Sequence, residues 1–264
     1  MTRYLRRADT RHDGRLRMFC FPYAGGGASA YAGWQRWLGD GVEVLPVQLP
    51  GREGRMSEPR FTDLPALVAD LDRELGEQLE GPYVLYGHSM GALVAFALAQ
   101  HRRARGERLP LALLLGAHRA PHLPAPPITH GYVADDMELV RGLAALGGLP
   151  RVLLDRPEWL AALLPVVRGD LMLCDGAGSV DRTPLPVPLH TFAGADDRLV
   201  TVPEIQEWSL YSTNGDCETV VVPGGHFFIR DKESVFLDRL SEVLSRYTDI
   251  ADLLGMDLVG APSD

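Results

Sequence analysis

The chain has 264 residues, 46% of them hydrophobic and 23% charged, with a formal net charge of −9. That length suits one large α/β domain or two small ones and can bury a sizeable core, and no apolar run approaches the ~18 residues of a membrane-spanning helix. The negative balance disfavours nonspecific nucleic-acid binding through an overall positive field, so neither nucleic acid nor a membrane is an expected partner.

Residues 1–17 are polar and Arg-rich and lack the apolar segment of a secretory signal. Cys20, Cys174 and Cys217 are odd in number and lack metal-ligand spacing, which points to a reduced, cytoplasmic setting with the thiols as small core residues. The first buried strand is read at 18–21 and a second at 42–47. Leu64, Leu67, Val68, Leu71, Leu75 and Leu79 recur at helical spacing and predict a helix over 63–79. A strand at 83–86 runs into Gly87-His88-Ser89-Met90-Gly91, and the apolar stretch 92–99 reads as a packed helix. Arg102, Arg103, Arg105 and Arg108 follow; a solvated helix end with cations near its C-terminus is preferred to a docking site. A strand is expected at 111–115.

Residues of about 119–186 break this rhythm, and half of the 20 prolines lie between Pro121 and Pro188. Proline at that density interrupts long elements, yet helical patterns persist at 134–146 and 157–174. This reads as a helical insertion over the C-terminal edge of the sheet, of the kind that acts as a lid. Strands at 187–192 and 218–222 and helices at 204–210 and 232–245 complete the series, and a tail from 248 forms a short helix with a frayed end. No internal repeat is visible. Strands alternating with helices predict a mostly parallel sheet covered on both faces, in a single domain.

The chemistry centres on Ser89. A G-x-S-x-G pentapeptide between a strand and a helix is a sharp turn that projects a serine hydroxyl above a sheet. The pattern alone is weak, and its strand–turn–helix context is what strengthens it. A serine needs a base within hydrogen-bond reach, and the base needs an orienting acid. On this kind of sheet they follow in the order Ser, Asp, His. Of the eight histidines, His226 is best placed, in the glycine-containing loop just past the strand ending at Val222, where Phe227 and Phe228 can shield its ring. His88 flanks the serine but should point away from it. Asp196 and Asp197 both follow the preceding strand; Asp197 is favoured and Asp196 reads as a turn or capping residue. The oxyanion of an acyl transfer also needs donors. One is the backbone N–H of Met90, and the second is expected from the loop Phe21-Pro22-Tyr23-Ala24-Gly25-Gly26-Gly27. No phosphate-binding G-x-x-x-x-G-K-[S/T] is present.

Five ordered motifs together resemble a type II thioesterase over about residues 17–245: Phe21-Pro22-Tyr23-Ala24-Gly25-Gly26, Leu49-Pro50-Gly51-Arg52, Gly87-His88-Ser89-Met90-Gly91, Gly194-x-x-Asp197 and Gly224-Gly225-His226-Phe227-Phe228. These are discrete α/β-hydrolase enzymes associated with polyketide synthases and nonribosomal peptide synthetases. The resemblance implies an α/β-hydrolase fold with a helical lid, a triad of Ser89, Asp197 and His226, and oxyanion donors at Ala24 and Met90. It implies an acyl group on the phosphopantetheine arm of an acyl or peptidyl carrier protein as substrate, and editing of stalled units as the task. No metal or organic cofactor is expected, and a monomer is the default. Arg198 departs from the family, in which many members carry proline after the acid. Arg52 has no assigned chemistry beyond holding its loop. Met137, Leu139, Leu143, Leu171 and Met172 are candidates for an acyl pocket, though packing within the insertion explains them equally. A carboxylesterase of the same fold and a noncatalytic binding protein are the rival functions.

Overall fold

The alternation of side chains along the strands builds the centre of the protein. In the computed structural model, which describes residues 2–5, 15–133, 135–149, 152, 155–213 and 215–259, six strands form one sheet. They are β1 (Leu16–Phe21), β2 (Val42–Pro46), β3 (Tyr83–His88), β4 (Leu113–Gly116), β5 (Leu189–Gly194) and β6 (Cys217–Val222), in the spatial order β2-β1-β3-β4-β5-β6. Every neighbouring pair is parallel. The described helices are α1 (Trp34–Leu38), α2 (Leu64–Leu75), α3 (Met90–Ala104), α4 (Asp136–Ala145), α5 (Pro157–Asp175), α6 (Val202–Gln206), α7 (Phe228–Asp231) and α8 (Glu233–Val259).

The four inner strands are buried along their whole length, as a sheet covered on both faces requires. Period-two alternation sends Phe19, Phe21, Leu85, Leu113 and Leu115 to one face, where they pack with Leu67 and Leu71 of α2 and Leu93 and Phe96 of α3. Met18, Cys20, Val84, Tyr86 and Phe192 point to the other face and meet Trp34 of α1 and Phe236 and Leu240 of α8.

Several elements differ in extent from the sequence reading. The helix expected over 63–79 is α2, capped by Asp63, whose carboxylate accepts the Ala66 N–H at 2.9 Å. It tightens into a 3-10 turn over Gly76–Leu79. The helix expected at 204–210 splits into α6, opened by a Thr201–Glu204 capping box, and a 3-10 turn over Glu207–Tyr211. The last helix is longer than expected: α8 runs unbroken for 27 residues, because Tyr247 and Ala251 extend the buried stripe of Phe236, Leu240, Val243 and Leu244. The short 3-10 turn Ala28–Tyr31 and α1 escaped the sequence reading because neither is long enough to show a period.

The arginine cluster after α3 is not a uniformly solvated helix end. Arg102 is fully buried, donates to Asp72 Oδ1 of α2 at 2.6 Å and to the Arg108 carbonyl at 2.8 Å, and so joins the two helices. Arg105 is exposed as expected. Between β4 and β5 lie a 3-10 turn at Pro127–Val133, α4 and α5, which hold a small core of their own around Leu139, Val140, Leu164, Val167 and Leu171. Pro165 sits inside α5 without ending it. The polar N-terminal reading falls largely on residues 1 and 6–14, and the frayed end on 260–264, outside the described residues.

Candidate active site

A parallel sheet puts the C-terminal ends of all its strands on one edge, so loops far apart in sequence converge there. Ala24 follows β1, Ser89 follows β3, Asp197 follows β5 and His226 follows β6. Ser89 is one of the described non-glycine residues with positive φ, at 53°, a conformation that costs on the order of 1–3 kcal/mol and persists only where the surroundings impose it. Its N–H donates to the Gly116 carbonyl at 2.8 Å. The motif glycines make the turn possible by close approach: a Cβ on Gly87 would overlap the Gly91 carbonyl, and one on Gly91 would overlap the Phe21 carbonyl. The start of α3 therefore packs directly on the end of β1.

The structure brings Ser89, His226 and Asp197 into one chain of hydrogen bonds. His226 Nδ1 lies 2.8 Å from Asp197 Oδ2, and His226 Nε2 lies 3.0 Å from Ser89 Oγ. A carboxylate only accepts, so Nδ1 carries the proton and Nε2 offers its lone pair to the serine hydroxyl. Burial alone would raise the Asp197 carboxyl; the hydrogen bond and charge of His226, with the amides of Leu199 and Val200, outweigh it and hold the carboxyl below the usual range. Those two amides donate to Asp197 Oδ1 at 2.8 and 3.1 Å. The aspartate thus closes its own turn, and Arg198 beside it is exposed. The neighbouring Asp196 is exposed and serves the loop through its N–H, which donates to the Gly224 carbonyl at 2.9 Å.

The Ala24 and Met90 N–H groups donate no hydrogen bond among the described residues. Met90 is the first residue of α3, where an N–H has no intrahelical acceptor. Ala24, Ser89 and His226 line a mostly apolar cavity of about 340 Å³ whose wall also includes residues of the helical insertion. Of the five candidate acyl-pocket residues, Leu143 and Leu171 line it. Leu139 is buried in the core of the insertion, and Met137 and Met172 face solvent at 62% and 40% exposure.

A model of the thioesterase domain family matches residues 16–248. The chain belongs to that family. The gramicidin S biosynthesis protein GrsT of Aneurinibacillus migulanus is 32% identical to this thioesterase over 230 residues, covering 87% of this chain and 89% of GrsT. RedJ, a thioesterase from the prodiginine biosynthetic pathway in Streptomyces coelicolor, superposes with a TM-score of 0.80 at 36% identity, covering 89% of this chain and 92% of RedJ. BorB, a type II thioesterase from the borrelidin biosynthetic cluster, gives a TM-score of 0.73 at 30% identity, covering 90% and 95% of the two chains. The α/β-hydrolase architecture expected from the motifs agrees with these neighbours.

Two groups of this thioesterase's site went unassigned in the sequence reading. His88 does point away from the serine, but its Nε2–H donates to the His226 carbonyl at 2.8 Å and so holds the histidine loop. Burial, with the adjacent His226, pushes His88 down to about 3, and it stays neutral. The predicted aromatic shield divides. Phe227 packs edge-on to His226 at 5.1 Å, whereas Phe228 turns into the core against His88 at 5.0 Å. The second group is Arg52 with Asp170 of α5, a buried ion pair under the Ala24 loop. The signal for it was an acid on the apolar stripe of Val167 and Leu171.

Proposed function

We propose that this thioesterase hydrolyses acyl groups from the phosphopantetheine arm of acyl or peptidyl carrier proteins, as a type II enzyme that clears aberrant or stalled units from a polyketide or nonribosomal peptide synthase. The observation that carries the reading is the hydrogen-bonded chain Ser89–His226–Asp197, whose serine and histidine line an apolar cavity. The relatives add support, since GrsT and RedJ are named for biosynthetic pathways and BorB is a type II thioesterase from a biosynthetic cluster.

His226 takes the Ser89 proton as Oγ attacks the thioester carbonyl. The Ala24 and Met90 N–H groups stabilise the tetrahedral oxyanion, His226 protonates the departing thiol, and an acyl ester on Ser89 remains. His226 then activates water, the acyl ester is hydrolysed, and the free acid leaves. Asp197 keeps the proton on Nδ1 and stabilises the imidazolium. Each step is assigned to a side chain or amide of this chain, so the reading calls on no metal or organic cofactor. The insertion acts as the lid over the acyl group, and the enzyme works as a cytoplasmic monomer.

Mass spectrometry of a carrier protein loaded with acetyl, propionyl and longer acyl groups tests this. The expected result is loss of the acyl mass with wild type, and a rate lower by on the order of 10⁵–10⁶-fold with Ser89→Ala at unchanged fold. Intact acyl-carrier beside rapid cleavage of a p-nitrophenyl ester would instead identify a free-standing esterase. Absence of both activities and of fluorophosphonate labelling at Ser89 would identify a binding protein.

A further inference from the structure

The loop that bears Ala24 is gripped by a side-chain pair contributed from two distant parts of the chain. Arg52 Nη1 donates to Asp170 Oδ2 and Nη2 to Asp170 Oδ1, each at 2.6 Å, across 118 residues of sequence. The side chains are 7% and 1% exposed. Asp170 Oδ2 also accepts the Gly25 N–H at 2.7 Å, and Arg52 Nη1 also donates to the Gly26 carbonyl at 3.0 Å. The peptide group that joins Ala24 to Gly25 is therefore held by the carboxylate, and the one that joins Gly26 to Gly27 by the guanidinium. A third tie closes the loop: Gln48 accepts the Ala28 N–H at 3.4 Å and donates to the Arg52 carbonyl at 3.2 Å.

Gly25 shows how closely α5 is seated on this loop. Its φ is +78°, and a Cβ there would lie 2.8 Å from Val167 Cγ2. Val167 and Asp170 are three residues apart and share one face of α5. A buried ion pair is a weak source of stability, because desolvation of both charges offsets their attraction, and a packed apolar pair holds a fold as well. What a two-pronged, planar pair adds is a fixed geometry.

We propose that Arg52 and Asp170 are positioning residues for the oxyanion hole: the docked α5 sets the peptide planes after Ala24, and through them the aim of the Ala24 N–H. The inference rests on the acyl-transfer reading of the site. It makes α5 part of the catalytic geometry as well as a cover for the cavity, and it gives Arg52 of the Leu49-Pro50-Gly51-Arg52 motif a task.

The test compares wild type with Asp170→Asn, Arg52→Lys, Arg52→Gln and the neutral double variant Arg52→Gln/Asp170→Asn. Hydrolysis of an acyl-pantetheine thioester gives kcat and KM. An alkyl trifluoromethyl ketone, which adds Ser89 Oγ to its carbonyl and places an oxyanion in the hole, reports on transition-state geometry. The matching thioether, which has no carbonyl, reports on ground-state binding, and a thermal melt reports on folding. The expected result for Asp170→Asn is a fall in kcat on the order of 10²-fold with KM little changed, since the loss of one oxyanion donor has that size. Ketone affinity falls in parallel and thioether affinity holds. Arg52→Lys, which keeps the charge and one hydrogen bond, falls between. The double variant costs less than the sum of its singles because the two residues act as a unit. Equal weakening of ketone and thioether, or a lowered Tm at wild-type kcat, would overturn the inference, and if Asp170→Asn does not fold, Arg52→Lys decides it on the same readouts. A wild-type protein that neither cleaves the thioester nor binds the ketone would defeat the acyl-transfer reading, and this inference with it.

Discussion

At the scale of single residues, His88 shows what burial does to a titratable group that takes no part in proton transfer. Its folded value near 3 lies well below the ordinary histidine value of 6.5. Between those values the unfolded chain binds a proton that the folded chain refuses, so stability rises with pH across that window and is lost as pH falls from 6.5, by up to about 1.4 kcal/mol per pH unit. His88→Gln keeps a donor for the His226 carbonyl without the titration. Urea melts from pH 7 to pH 4 should show wild type losing stability faster than this variant by that slope; parallel curves would refute it. Asp197 is the opposite case, a buried acid held below the usual carboxyl range and required as an anion by the proposed mechanism. Asp197→Asn should leave the fold intact but lower kcat on the order of 10⁴-fold, because an amide no longer holds the Nδ1–H tautomer of His226. Steady-state turnover of an acyl-pantetheine thioester checks this. Sequence alone preferred Asp197 to Asp196 without deciding between them. In the structure one carboxylate is buried against His226 and closes its own turn, while its neighbour faces solvent.

At the scale of elements, the strands and the serine turn were legible because their determinants are local. The 83–88 strand and the helix after it are joined by a turn whose two glycines are needed at fixed positions, whatever the rest of the chain does. The Arg102 reading went the other way. A cation in the last turn of a helix looks like a favourable end charge, and nothing nearby in sequence announces that Asp72 of α2 will lie against it. Arg102→Met leaves Asp72 buried without its main partner. His101 and Arg105 each lie 3.6 Å from that carboxylate, so the loss should fall at the lower end for a broken buried pair, about 3 kcal/mol in chemical denaturation. Arg102→Met combined with Asp72→Leu should recover most of it, and failure of the double variant to do so would show that Arg102 acts through packing rather than charge.

At the scale of the molecule, the insertion between β4 and β5 adds a wall to the cavity at the sheet edge. The cavity of about 340 Å³ lies between loops at the sheet edge and Leu143 and Leu171 of the insertion. If the acyl chain enters there, Leu143→Trp should shift preference toward short chains. In a kcat/KM series from acetyl to decanoyl thioesters, the long members should fall while acetyl holds. A uniform change along the series would place the acyl chain elsewhere.

The sheet, its two buried faces and the residues gathered at one edge could be read from the chain, because they depend on short-range periodicity and on a topology that delivers every strand's C-terminal end to the same place. Ala24, Ser89, Asp197 and His226 each follow a strand, so their order along the chain was enough to bring them together. That Arg52 reaches Asp170, that His88 carries the His226 loop, and that Leu143 and Leu171 but not Met137 or Met172 face the cavity emerged from the folded packing alone. Those outcomes depend on how the insertion and the loops pack against the sheet, and no local pattern records a contact between side chains 118 residues apart.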